Sequence, residues 1–98
     1  MFVGLGRFDI LVGPLTSLKS KRSVVRRLTA ELHQKFAVSV AETDHQDLLQ
    51  RTEVSIAVVS ADHSHCQRVL QRCEDFLAQR PEHELLAARI RVISDNDV

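Results

Sequence analysis

Residues 2–12, FVGLGRFDILV, alternate between two sides. Phe2, Phe8, Ile10 and Val12 share one with Gly4 and Gly6, and Val3, Leu5, Arg7, Asp9 and Leu11 share the other. A period of two predicts a half-buried strand. GPLTS (13–17) carries turn punctuation, and Thr16 or Ser17 stands where a helix N-cap is needed. From Leu18 the period changes. Leu18, Val25, Leu28, Leu32 and Phe36 recur at intervals of seven, three, four and four, which is one apolar helical stripe ending near Phe36. AVSVAETD (37–44) reads as a second strand, with Val38 and Val40 on one side. The polar run HQDLLQR reads as a loop, and TEVSIAVVS (52–60) as a third strand with Val54, Ile56 and Val58 in phase. ADHSHCQRVLQRCEDFLAQR (61–80) is a second helix with Cys66, Val69, Leu70, Cys73, Phe76 and Leu77 on its apolar side, ended by Pro81. EHELLA then links to a last strand near 88–93, where Ala88, Ile90 and Val92 alternate with Arg89, Arg91 and Ile93.

The order β-α-β-β-α-β, with a right-handed crossover on each side of a hairpin, predicts an α+β ferredoxin-like sandwich. Both helices cover one face of a four-stranded antiparallel sheet. The expected organisation is one domain over 1–94 with a short acidic tail at 95–98. The second sheet face is left open, and the alternation puts Val3, Leu5, Leu11, Ala37, Val59 and Ile93 on it among polar residues. Such a half-apolar face can dock a partner.

Composition narrows the class. Of 98 residues, 44% are apolar and 27% charged, the balance of a soluble globular domain. No apolar run approaches the roughly 18–20 residues that span a bilayer, and MFVGLGRFDIL lacks the layout of a signal peptide, so no membrane partner is expected. The expected compartment is the cytoplasm, which suits Cys66 and Cys73 as free thiols.

The formal net charge is zero, yet it is unevenly spread. Residues 1–40 hold seven Lys/Arg and two acids, a balance of +5, and residues 41–98 hold six and eleven, a balance of −5. The basic excess concentrates in SLKSKRSVVRRL (17–28), with Lys19, Lys21, Arg22, Arg26 and Arg27 and no acid. On a helical wheel Lys19, Arg22 and Arg26 fall within about 60°. Arg27 lies to one side, and Lys21 points toward the apolar stripe, where it can only snorkel past the end of the sheet. Cations in a first turn oppose the helix dipole by about 0.3–1 kcal/mol each. A bound anion removes that conflict. Two readings follow: a phosphate or RNA-backbone site built from Lys19, Lys21, Arg22, Arg26 and Arg27, or a solvated face paired with the acidic second half.

AETDHQDLLQR (41–51) gathers Glu42, Asp44, His45, Gln46 and Asp47. Carboxylates beside a histidine can take a divalent metal or exchange protons, and they can equally cap loop backbone. The spacing matches no metal motif, so no metal ligand and no catalytic residue is assigned. His63 and His65 are two apart and diverge by about 200° on a helix, and Cys66 and Cys73 lie on the apolar stripe. GLGRF sits inside a strand and does not open a helix, so it is no phosphate loop. The aromatics are Phe2, Phe8, Phe36 and Phe76, all on core faces, which leaves the open sheet without a base-stacking platform. No cofactor and no enzymatic activity are expected.

MFVGLGRFDI, SLKSKRSVVRRL, FAVSVAETDHQDLLQR and IAVVSADHSH together resemble the YlxP-like family of bacterial domains of unknown function, from Met1 to about Leu77. The family signature falls here on Ser17, Leu18, Lys19, Lys21, Arg22, Glu42, Asp44, His45, Gln46 and Asp47. The resemblance implies a ferredoxin-like fold and a gene neighbourhood of translation and ribosome-maturation factors, and no established activity. Gly6 stands where a larger apolar residue is usual, which predicts a locally looser core. Leu49 replaces a common aromatic, which weakens any stacking by the loop. The leading expectation is a small non-enzymatic domain that contacts structured RNA or a ribosomal particle through the basic helix. The alternative is a homodimer formed through the open sheet face. A metal-assisted enzyme built on Glu42, Asp44, His45 and Asp47 ranks third.

Overall fold

In the computed structural model, which describes residues 1–14 and 16–97, the alternation of the first segment becomes β1 (Phe2–Val12), with Gly4, Gly6, Phe8, Ile10 and Val12 turned inward. It is followed by α1 (Leu18–Phe36), β2 (Ser39–Asp44), β3 (Arg51–Ser60), α2 (His63–Ala78) and β4 (His83–Ser94), with a closing 3₁₀ turn at Asp95–Asp97. The sheet order is β2-β3-β1-β4, antiparallel throughout. This is the ferredoxin-like sandwich that the periods predict. The turn expected over 13–17 and the acidic tail include Leu15 and Val98, which lie outside the described residues.

The two periods meet in one core. Phe8, Ile10, Val54 and Ile56 from the sheet pack with Leu28 and Leu32 of α1 and Leu70, Cys73 and Leu77 of α2. Phe36 and Phe76 meet edge to face at 5.6 Å on the rim of this core, under Lys35 and Arg80.

Three expectations need correction. Ala37 is not a strand residue on the open face: it caps α1 in the left-handed region (φ 54°), and its N–H donates to the His33 carbonyl at 3.0 Å. EHELLA is not wholly a link, because β4 already begins at His83 and pairs with Val12, Leu11 and Ile10. The strand escaped the period-two test because its register slips between Asp9↔Ala87 and Ile10↔Leu85. Leu86 is the bulged extra residue, and the alternation changes phase across it. Finally, the core at Gly6 is not loose. A Cβ there would lie 2.7 Å from Phe8 Cε2 and 3.3 Å from Leu70 Cδ2, so the Phe8 ring folds back into the space a larger residue would fill.

Among the described residues no helix is long and apolar enough to cross a membrane.

Candidate functional site

Ser17 is the N-cap of α1. Its extended backbone lets the hydroxyl accept from the Ser20 N–H at 3.1 Å, which ends the turn and starts the helix. One turn later stands Lys21, in phase with Val25, Leu28 and Leu32, and it is 1% exposed. A buried ammonium requires a counter-charge and acceptors. Glu42 Oε2 lies 3.0 Å from Lys21 Nζ, and the His45 and Gln46 carbonyls accept from the same nitrogen. Glu42 in turn accepts from the buried Thr52 hydroxyl at 2.6 Å.

This arrangement corrects one assignment. Lys21 is no phosphate ligand, because its charge is enclosed between α1 and the β2–β3 loop and all of its partners are internal. It also joins the two stretches that the sequence singled out, the basic helix start and the Glu42–Asp47 loop, into one site. Thr52 is the member that sequence reasoning missed. Its signal was a hydroxyl in phase with Val54, Ile56 and Val58 on the buried side of β3.

The rest of the loop divides between backbone support and exposure. His45 sits at φ 64°, and its N–H donates to Asp44 Oδ1 at 2.7 Å. The preceding carboxylate thus holds the amide of the residue that turns through the left-handed region. Gln46 Nε2 reaches the Glu42 carbonyl at 3.5 Å, while Asp47 is exposed. Glu42 is already engaged by Lys21 and Thr52, and among the described residues no three His, Cys, Asp or Glu side chains converge as metal ligands. On α2, His63 and His65 are exposed and Asp62 caps the helix by accepting from the Ser64 N–H at 3.0 Å. Cys66 and Cys73 are buried and free, and burial pushes the Cys73 thiol up to about 11.

Lys19, Arg22, Arg26 and Arg27 are a different population. All four are exposed, and among the described residues none forms an ion pair. The charge halves do interleave elsewhere. Arg7 forks onto Glu53, and Lys21 meets Glu42, while Arg51–Asp9 and Arg80–Glu31 run in the opposite sense. None of these contacts reaches the outer face of α1, so its positive charge is left facing solvent. On the open sheet face, by contrast, Arg7 is paired with Glu53. A hydroxyl bond from Thr43, and after it the Arg7 guanidinium, hold the Glu53 carboxyl below its usual range.

Residues 3–90 match the family described as "Protein of unknown function (DUF503)". The chain belongs to that family. The DUF503 match extends beyond the N-terminal motifs into β4. A curated relative, "Uncharacterized protein YlxP" of Bacillus subtilis (strain 168), is 34% identical over 87 residues, which are 89% of this chain and 95% of the relative. Among solved structures, the de novo designed protein LFR1 1, with ferredoxin fold, superposes with a TM-score of 0.51 at 14% identity, covering 95% of this chain and 84% of that one. That likeness concerns the fold alone.

Proposed function

We propose that this DUF503 chain is a non-enzymatic cytoplasmic binding domain that docks on structured RNA or a ribosomal particle through the outer face of α1. The observation that carries the reading is the contrast within one helix. Lys21 is consumed internally, whereas Lys19, Arg22, Arg26 and Arg27 are exposed and without a carboxylate partner among the described residues. Lys19, Arg22 and Arg26 extend over about 10 Å of helix at 1.5 Å per residue, enough to follow successive phosphates of a backbone. The translation-linked gene neighbourhood implied by the family resemblance supports RNA as the polyanion. With no Phe, Tyr or Trp exposed among the described residues, affinity would come from phosphates.

The test is a salt series of binding to labelled ribosomal RNA. Duplex phosphate contacts each contribute about −0.9 to the slope of log K against log salt. The triple variant Lys19→Ala, Arg22→Ala, Arg26→Ala should bind weakly with a flattened slope. Unchanged affinity and slope in that variant would remove α1 from the interface, and absence of binding at low salt would remove RNA.

A second reading, pairing of two copies through the open sheet face, is favoured by the apolar end of that face, where Leu5 and Val59 are 38% and 64% exposed. Its test is sedimentation at tens of micromolar with wild type and Leu5→Asp. A monomer in both cases would refute it.

A further inference from the structure

β4 is an outer strand of the sheet. It runs for 12 residues, pairs with β1 alone, and presents its other side to solvent. An edge of that length carries a row of backbone N–H and C=O groups without strand partners, a template for a further strand. β2, at the opposite edge, offers half that length and is itself disturbed by a register shift between Glu42 and Asp44.

The side chains on β4 say what kind of strand would fit. Arg89 and Arg91 stand two residues apart on the open face, both exposed, and neither has a carboxylate partner among the described residues. Arg89 lies directly opposite Arg7 of β1, which is already forked onto Glu53. Like charges placed opposite one another on neighbouring strands repel, so the second side of Arg89 favours an acid. Two residues of strand cover about 6.8 Å, so acids at alternate positions of an added strand would meet both arginines on one face.

A second copy of β4 centred on the arginine pair does not meet this demand. Antiparallel self-pairing about a two-fold axis at Arg89, Ile90 or Arg91 sets arginine against arginine. An axis at Ala88 sets the bulged Leu86 against Ile90 and breaks the ladder. A nucleic-acid backbone would satisfy the two guanidinium groups but not the backbone donors and acceptors between them.

We propose that the β4 edge is a docking site for an extended acidic peptide segment of a partner protein, which adds to the sheet as a fifth strand beside β4. Main-chain hydrogen bonds hold it, and carboxylates at alternate positions pair with Arg89 and Arg91. This site lies apart from the α1 surface and stands whether or not that surface binds RNA.

The probe is a fluorescein-labelled eight-residue peptide alternating Glu and Val. Its partner probes carry Lys for Glu, or N-methyl groups on either the Glu or the Val amides. Binding to the full chain is read by anisotropy and mapped by amide NMR shifts. The acidic peptide should bind at least tenfold more tightly than the lysine peptide, with shifts confined to β4 and β1. One of the two N-methylated peptides should lose binding, because methylation blocks the amides that face the strand while leaving the charge intact. Arg89→Glu with Arg91→Glu, at exposed positions that leave the fold intact by circular dichroism, should reverse the preference between acidic and lysine peptides. The proposal is overturned if the acidic peptide fails to bind, if both N-methylated peptides bind as well as the parent, or if the shifts fall on Lys19, Arg22 and Arg26.

Discussion

Lys21 Nζ and Glu42 Oε2 are 3.0 Å apart, and the lysine end of the pair is almost wholly enclosed. The contact fastens the first turn of α1 to the strand that leads into the β2–β3 loop. It also places the ammonium against the carbonyls of His45 and Gln46. Removing one member of such a pair leaves the other charge without its partner. Lys21→Met should therefore cost about 3–5 kcal/mol in urea unfolding. Lys21→Met combined with Glu42→Gln, which keeps an acceptor for Thr52, should cost less than the sum of the two single changes. Strict additivity would mean that the pair is not coupled.

Arg22, the next residue, should behave in the opposite way. It is exposed and outside any ion pair among the described residues, so Arg22→Glu should move stability by no more than about 0.5 kcal/mol while weakening RNA binding. A neighbouring pair in which one change unfolds and the other only unbinds would separate the structural lysine from the surface cation. The check is urea unfolding and RNA affinity measured on the same preparations.

Gly6 is required by the ring of Phe8. Gly6→Ala puts a methyl group 2.7 Å from Phe8 Cε2 and should destabilise by about 1–3 kcal/mol. For a domain of this size that corresponds to a melting-point loss of roughly 4–8 °C per kcal/mol. Phe8→Leu in the same background should restore part of the loss, because it removes the clashing ring edge.

His83 makes stability depend on pH near neutrality. Burial lowers its pKa below the ordinary 6.5, outweighing the Leu77 carbonyl, which accepts from Nε2 at 3.0 Å, and the neighbouring Glu82. As pH falls the unfolded chain takes up this proton first. The stability due to His83 is therefore complete above 6.5 and is lost progressively below it, until the folded-state value is passed. His83→Gln should give a flatter stability profile as pH falls through and below 6.5. Parallel profiles for the two proteins would assign the dependence to other groups.

The fold was legible because both of its periods are carried by side chains that reach the core: Phe8, Ile10, Val54 and Ile56 at a spacing of two, and Leu28, Leu32, Leu70 and Leu77 at helical spacing. The first half of β4 was hidden by the bulge at Leu86, and the start of β2 by Ala37, which caps α1 in a conformation more often left to glycine. In the site, the exposure of Lys19, Arg22 and Arg26 followed from the helical wheel. The wheel also turned Lys21 inward, but its enclosure depends on a loop that comes back from residues 42–46, and no local pattern encodes that return. Thr52 was obscured for a related reason, since a lone hydroxyl among valines and isoleucine acquires meaning only once Glu42 is opposite it.

The enclosure of Lys21 also bears on how such chains can diverge. Position 21 and position 42 hold opposite charges in a space that admits little water, so neither can drift alone without passing through a damaged intermediate. The two are expected to change together, as a matched exchange of the ionic couple for an apolar one, or not at all. The outer cations of the same helix carry no such constraint among the described residues, and they are free to follow whatever partner a given lineage meets.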